Sequence, residues 1–312
     1  MRIHVAAAAI IDSDGRVLIS RRAEHQHQGG LWEFPGGKLE AGESAAEALT
    51  RELREELGLR PLAFEPLIRI HHRYSDREVL LDFFRVTRYA GEARGLEGQP
   101  LRWLRPEQMQ ASDFPAADRP VINALRLPER YLITGEAPAD RSRFLERLRL
   151  ALQNGLRLVQ LRAHDLDDEA YGRLLPPVWD LCKAYDAVLV INRPQSCVSW
   201  LGQADGIHLS AAQLLRLETR PQGGGLIGAS CHDQVELARA AALQLDYALL
   251  SPVLPTDSHP GAPALGWRTF GDWVESASLP VYALGGMQAD LLAEARRAGG
   301  QGIAAIRAFW PD

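Results

Sequence analysis

The sequence predicts two α/β units in tandem, a mixed one over 1–127 and a parallel (β/α)8 barrel over 130–312. Three observations carry this. The length, 312 residues, is about two domains at roughly 150 residues each. Up to about residue 125 the pattern is irregular, with strands, one strong helix, more strands and a last helix. After Pro128 short apolar runs alternate regularly with helix-like stretches, and eight such steps are the number that closes a parallel barrel.

In the first unit, the apolar run Val5–Ile11, the turn Asp12-Ser13-Asp14-Gly15 and the run Arg16–Ser20 read as a hairpin. Segments 63–73 and 79–89 are strand-like, because β-branched and aromatic residues recur there between turn residues. Segment 119–127 is a helix with Pro120 in its first turn. In the second unit the strands fall at 131–134, 158–162, 188–192, 206–209, 226–230, 247–253, 281–286 and 302–306. Little chain follows the last of these, so the closing helix must be very short.

Composition excludes several classes. With 46% hydrophobic and 24% charged residues the chain is neither disordered nor fibrous. Lys and Arg number 35 against 40 Asp and Glu, so no basic excess serves stable nucleic-acid binding. Cys182, Cys197 and Cys231 are too few and too scattered for a disulfide framework or zinc ribbon. No apolar stretch reaches the roughly 18 residues of a membrane helix, and the chain reads as cytoplasmic with no membrane partner.

The most informative stretch is GKLEAGESAAEALTRELREELGL, Gly37–Leu59. It predicts a helix from about Ser44 to Leu57. Ser44 and Glu47 form a capping box, and Ala46, Leu49, Leu53 and Leu57 face the core. Glu52, Glu55 and Glu56 then lie at i, i+3 and i+4 on one side. Like charges so placed destabilise a helix by a few tenths of a kcal/mol per pair. A hard divalent cation such as Mg²⁺ (or Mn²⁺) relieves the repulsion and shares itself with substrate phosphates. Taken alone, such a face is more often a solvated acidic surface.

The whole stretch resembles the Nudix box, G-x5-E-x7-R-E-U-x-E-E-x-G-U with U aliphatic, through Gly37, Glu43, Arg51, Glu52, Leu53, Glu55, Glu56, Gly58 and Leu59. The resemblance implies an α/β/α sandwich on a mixed sheet and a pyrophosphohydrolase. It implies Glu55, Glu56 and the Gly36 carbonyl as metal ligands, Glu52 as a ligand or the residue orienting the water, and Arg51 paired with Glu43 as a structural brace. Ser20-Arg21-Arg22, Leu31–Lys38, Glu97-Gly98-Gln99-Pro100 and Asp113-Phe114-Pro115 are similar to the MutT branch, which hydrolyses oxidised purine nucleoside triphosphates, 8-oxo-dGTP above all. On that similarity Arg22, Phe34, Asp76 and Arg77 surround the nucleotide, and Glu97 is a further acid at the metals. Phe34 is equally core, and Asp76-Arg77 sit in a turn of the kind that more often faces solvent. Where this branch has an Asn that reads the base, the chain has Asp118, which offers only acceptors when ionised. Asp118 is alternatively the cap of the following helix.

From about Arg130 the chain resembles the thiamine phosphate synthase/TenI barrels, through Leu158–Arg162, Ala204–Leu209, Ile227–His232, Ser251-Pro252-Val253 and Val281–Met287. The resemblance points to a site of Arg162, Asn192, His232 and Gly285-Gly286, the glycines binding a phosphate ahead of a helix at Asp290. It implies a phosphorylated, thiamine-related ligand. The synthase's two acids correspond to Arg193 and Gln213, and its two lysines to His164 and His259, so synthase activity is not expected. Two other readings are a Nudix hydrolase of damaged thiamine diphosphate analogues and a hydrolase regulated by a ligand-binding barrel.

Overall fold

A computed structural model describes residues 2–25, 27–74, 77–135, 140–193, 202–222, 225–256 and 263–310. Asp76, Cys197 and His259 lie outside the described residues. The chain divides into two compact units, Met1–Arg126 and Leu127–Asp312.

The first unit is a seven-stranded mixed sheet between helices. Its strands are β1 (Arg2–Ile11), β2 (Val17–Arg21), β3 (Trp32–Glu33), β4 (Gly36–Lys38), β5 (Arg60–Arg73), β6 (Glu78–Ala90) and β7 (Leu101–Leu104). The main path runs β3-β2-β1-β6-β5, with β4 paired to β1 and β7 to β2. Among the described residues only β1 and β6 of this sheet pair in parallel, at its centre. Alternation along β1 explains the sandwich. Ala6, Ala8 and Ile10 face α1 (Ala45–Leu57) with Leu49, Leu53 and Leu57, whereas Ala7 and Ala9 face α2 (Arg119–Arg126) with Val121 and Ile122. The alanines let a helix sit close on either face of the central strand. Ser44 caps α1 in the expected capping box, its side chain accepting from Glu47 N and the Glu47 carboxylate accepting from Ser44 N. One core position differs from expectation: Ala48 is buried, whereas Ala46 in the first turn is only half-buried.

The second unit is a closed barrel in the order β10-β11-β12-β13-β14-β15-β8-β9, every neighbouring pair parallel. Its strands are β8 (Arg130–Ile133), β9 (Leu158–Leu161), β10 (Val188–Ile191), β11 (Gly206–Leu209), β12 (Leu226–Cys231), β13 (Tyr247–Leu250), β14 (Val281–Ala283) and β15 (Gly302–Ala305). The described helices between them are α3 (Arg141–Gln153), α4 (Asp168–Ala184), α5 (Ala211–Arg216), α6 (Gln234–Ala242), α7 (Gly266–Ala277) and α8 (Leu292–Arg297). Tyr131, Tyr247 and Tyr282 fill the barrel interior. No helix among the described residues is long and apolar enough to cross a membrane.

Candidate active site and barrel mouth

In the first unit, the close approach of β4 to α1 organises the acids. A Cβ on Gly37 would lie 2.2 Å from the Glu52 carboxyl carbon, so the missing side chain is the space that carboxylate occupies. A Cβ on Gly36 would lie 2.2 Å from the backbone oxygen of Ala6, so only glycine lets β4 sit on β1 here. Gly36 N–H donates to Glu56 Oε2 at 3.2 Å.

Arg51 is the brace. It donates to both Glu43 oxygens at 3.0 and 2.9 Å, to Glu52 Oε1 at 2.8 Å, to Glu55 Oε2 at 3.3 Å and to the Lys38 carbonyl at 3.0 Å. One guanidinium thereby joins the start of the box, its helix and β4. These hydrogen bonds hold the Glu43 carboxyl below its usual range, the Arg51 side chain's own bond being the foremost cause.

Glu56 stands apart from its neighbours electrostatically. Burial, and then the charges of Glu33, Glu52 and Glu97, push its carboxyl up to about 8 against the pull of the Gly36 hydrogen bond. Glu33, Glu52 and Glu97 are thus near enough for their charges to act on Glu56. Glu55 is the outlier, its side chain 57% exposed and drawn to Arg51. Among the described residues no three His, Cys, Asp or Glu side chains converge tightly enough to cage a metal as they stand. The donor set nevertheless suits a hard divalent cation. It is all oxygen, and the mutual repulsion at Glu56 is the charge imbalance that such an ion removes.

Glu33 received no role from sequence reading. It pairs with Arg22, which also donates from Nε to the His27 carbonyl at 2.9 Å. Burial raises its carboxyl, Arg22 lowers it and Glu97 raises it. The available signal was one acid inside the otherwise apolar run Leu31-Trp32-Glu33-Phe34-Pro35. The same pair bears on Asp118. Burial above all, and then the charge of Glu33, push the Asp118 carboxyl up to about 8, while Arg22 opposes the shift. Asp118 ends a 3₁₀ turn, Ala116–Asp118, that runs directly into α2, and its side chain is buried. Tyr74 lies beside it, its phenol raised by burial and then by Asp118. The Arg77 carbonyl accepts from Tyr74 N at 2.8 Å. Phe34 is core, edge-on to Phe83 at 5.5 Å and stacked with Phe114 at 5.7 Å.

At the barrel's strand ends, the residues replacing the synthase acids have other partners. Gln213 completes the capping box of α5, its Oε1 accepting from Ser210 N at 2.8 Å. Arg193 donates to Asp168 Oδ1 at 2.6 Å, to Ala163 O at 3.0 Å and to Leu166 O, and its guanidinium lies over the Tyr171 ring. Arg162 lies at the end of β9, its backbone N–H donating to Thr134 Oγ1 at 2.9 Å. Burial, then Arg162 and Arg193, lower the His164 pKa. Asn192 donates to the His208 carbonyl at 2.8 Å, and His232 Nδ1 lies 3.0 Å from the Ser251 carbonyl.

Gly285 and Gly286 adopt φ +93° and +69°. They pack against the segment Pro252–Pro255, where a Cβ would approach to 2.8 and 2.7 Å. The glycines thus make a tight turn. A 3₁₀ turn at Ala289–Leu291 follows it, so Asp290 does not open an α-helix; α8 begins only at Leu292.

Inside the barrel a polar chain missed by sequence reading runs from Gln160 through Tyr131 (2.9 Å), Tyr247 (2.9 Å) and His208 (3.2 Å) to Ser230 (2.9 Å). Burial lowers the His208 pKa to about 3, so its ring is neutral and can donate from one nitrogen while accepting at the other.

Comparison with known proteins accounts for both units. A family model described as a NUDIX domain matches residues 6–124, and one described as thiamine monophosphate synthase matches residues 130–309. The chain is 38% identical over 125 residues to the 8-oxo-dGTP diphosphatase of Escherichia coli K12, covering 40% of this chain and 97% of that protein. It is also 38% identical over 124 residues to the CTP pyrophosphohydrolase of the same organism, covering 40% of this chain and 92% of that protein. For the barrel, a thiamine-phosphate synthase of Thioalkalivibrio sulfidiphilus is 30% identical over 184 residues, covering 58% of this chain and 87% of that protein. The chain therefore belongs to two families at once, with a Nudix domain homologous to 8-oxo-dGTP diphosphatases at its N-terminal end and a barrel of the thiamine monophosphate synthase/TenI family after it.

Proposed function

We propose that the first unit is a Mg²⁺-dependent pyrophosphohydrolase of oxidised purine nucleoside triphosphates, converting 8-oxo-dGTP and water to 8-oxo-dGMP and pyrophosphate. The observation that carries the reading is the seating of Glu52 against Gly37 under the Arg51 brace, with Glu56 accepting from Gly36 N–H on the same helix. Glu52, Glu55, Glu56, Glu97 and the Gly36 carbonyl would hold the metal. When bound, it supplies polarisation of a phosphoryl oxygen and neutralises the leaving pyrophosphate. Arg51 keeps Glu52 and Glu55 in place, and Glu52 either ligates or orients the attacking water. Arg22, Asp76, Arg77 and Asp118 surround the nucleotide, with Phe34 as the apolar wall behind them.

Overall similarity does not choose the substrate, because the relatives named for 8-oxo-dGTP and for CTP are equally identical to this chain. The neutral Asp118 favours the oxidised purine. With its carboxyl raised to about 8 it carries a proton at pH 7, and it then offers a donor and an acceptor, as an Asn does. 8-Oxoguanine presents the complementary pair, O6 and N7–H. Pyrophosphate release should be measured with 8-oxo-dGTP, 8-oxo-dATP, dGTP, CTP and oxidised thiamine diphosphate, with and without Mg²⁺. The expected order places 8-oxo-dGTP first, with no release in EDTA. Preference for CTP or for the thiamine compound would replace this reading.

For the barrel we propose binding of a phosphorylated, thiamine-related ligand at Arg162, Asn192, His232 and Gly285-Gly286, without synthase chemistry. Arg193 and Gln213 support the second half of this reading, because both are engaged in structural hydrogen bonds where the synthase has acids. The full-length protein supplied with a hydroxymethylpyrimidine diphosphate, a thiazole phosphate and Mg²⁺ should form no thiamine phosphate. Formation of the product above a no-enzyme control would refute that half.

A further inference from the structure

The loop between β6 and β7 carries Glu97 and is tied to the last turn of α1. Arg94 N donates to Leu57 O at 3.1 Å, Leu96 N to Glu56 O at 2.9 Å, and Gln99 Nε2 to the same Glu56 O at 3.0 Å. The last carbonyls of a helix have no partner within it, so these donors fill an existing need. Gln99 does more than cap. Its Oε1 accepts from Glu97 N at 2.9 Å. One half-buried side-chain amide thus bonds to the backbone of both Glu56 and Glu97. The loop is shaped around it, since a Cβ on Gly95 would lie 2.1 Å from the Gln99 carbonyl oxygen, and Gly98 N closes a turn onto Gly95 O at 3.0 Å.

We infer that Gln99 is a positioning residue, which fixes the Glu97 backbone beside Glu56 and so raises the affinity of the acid cluster for a divalent cation. The inference rests on the metal-binding reading of that cluster. The physical reason is that Glu97 is exposed on a glycine-flanked turn, where an unanchored acid would lose conformational freedom on binding a cation. A side-chain amide is the group that donates and accepts at once, and at Gln's length it spans both backbones. Groups that orient metal ligands typically alter affinity by about 10- to 100-fold when removed.

The test is a Mn²⁺ titration of the full-length chain, with free Mn²⁺ followed by its EPR signal and folding followed by circular dichroism. The wild type should bind saturably, and Glu56→Gln should abolish that binding. Gln99→Met removes both hydrogen bonds at similar volume and should weaken binding about tenfold without changing the spectrum. In a Glu97→Gln background the same change should cost less than about twofold, because the acid it positions is already gone. If Gln99→Met does not fold, Gln99→Asn, too short to reach both backbones, should show the same pattern. Wild-type affinity in Gln99→Met, or the same loss in both backgrounds, would overturn the role given to Gln99. No saturable Mn²⁺ binding by the wild type, or binding untouched by Glu56→Gln, would instead overturn the metal reading and this inference with it.

Discussion

Glu56→Gln is expected to lower pyrophosphate release by about two orders of magnitude or more, while the fold survives. Glutamine keeps the shape of Glu56 and still accepts from Gly36 N–H, so the strand–helix contact persists. What is lost is a negative charge. In the metal-free chain that charge is disfavoured by burial and by Glu33, Glu52 and Glu97. Its removal should therefore leave thermal stability unchanged or raise it, even as turnover collapses. That opposition separates a functional acid from a structural one, because a brace such as Arg51 would lose stability and activity together. The measurement is kcat/KM for 8-oxo-dGTP beside a melting curve. Near-normal turnover with a normal melt would show that Glu56 is not part of the machinery.

Asp118→Asn is expected to change base selectivity and its pH dependence. The wild-type carboxyl, raised to about 8, is mostly neutral at pH 7 and ionised above pH 8. The neutral form donates to O6 and accepts from N7–H of 8-oxoguanine. The ionised form accepts twice, which suits the N6–H and N7–H donors of 8-oxoadenine and leaves O6 facing like charge. A mismatched buried polar group costs about 1–3 kcal/mol, roughly five- to 150-fold. Wild-type kcat/KM for 8-oxo-dGTP should therefore fall as pH rises through about 8, while that for 8-oxo-dATP rises over the same interval. The amide introduced by Asp118→Asn does not titrate, so the variant should have a higher 8-oxo-dGTP to 8-oxo-dATP ratio, most clearly above pH 8. Glu33, Arg22 and Tyr74 act on or are acted on by the same carboxyl, and Arg22 is paired with Glu33.

Stability should move with the same group. The folded chain retains the Asp118 proton up to about pH 8, whereas the unfolded chain releases it near 3.8. Between those values the folded state binds more protons, so stability falls as pH rises and is level above about 8. The Asp118→Asn variant should show a shallower slope, the part owed to the Glu56 carboxyl, also raised to about 8, remaining. An unchanged selectivity ratio together with an unchanged slope would mean that Asp118 neither reads the base nor holds a proton.

The parts of this site legible in the sequence are those set by local spacing. The capping box of α1, the shared side of Glu52 and Glu56, and the Arg51–Glu43 pair all follow from positions within one helix and the loop before it. Ala48 rather than Ala46 is buried because the helix's first turn is only half covered, which depends on the sheet it meets. Glu33, Tyr74 and Gln99 escaped because their roles are made by other segments. Glu33 reaches the acids through the β2–β3 hairpin, and Gln99 through a carbonyl 43 residues earlier. The barrel shows the same division. Periodicity located its eight strands, but the buried chain from Gln160 to Ser230 joins five residues on different strands, and only closure brings them together. A helix soon after Gly285-Gly286 was legible, whereas the 3₁₀ turn that delays its start from Asp290 to Leu292 was not.

The most direct test of the central claim is a product analysis of 8-oxo-dGTP incubated with the full-length protein and Mg²⁺. The account predicts 8-oxo-dGMP and inorganic pyrophosphate in equal amounts, with no orthophosphate and no reaction once EDTA is added. Release of orthophosphate with 8-oxo-dGDP, or turnover that persists in EDTA, would contradict it.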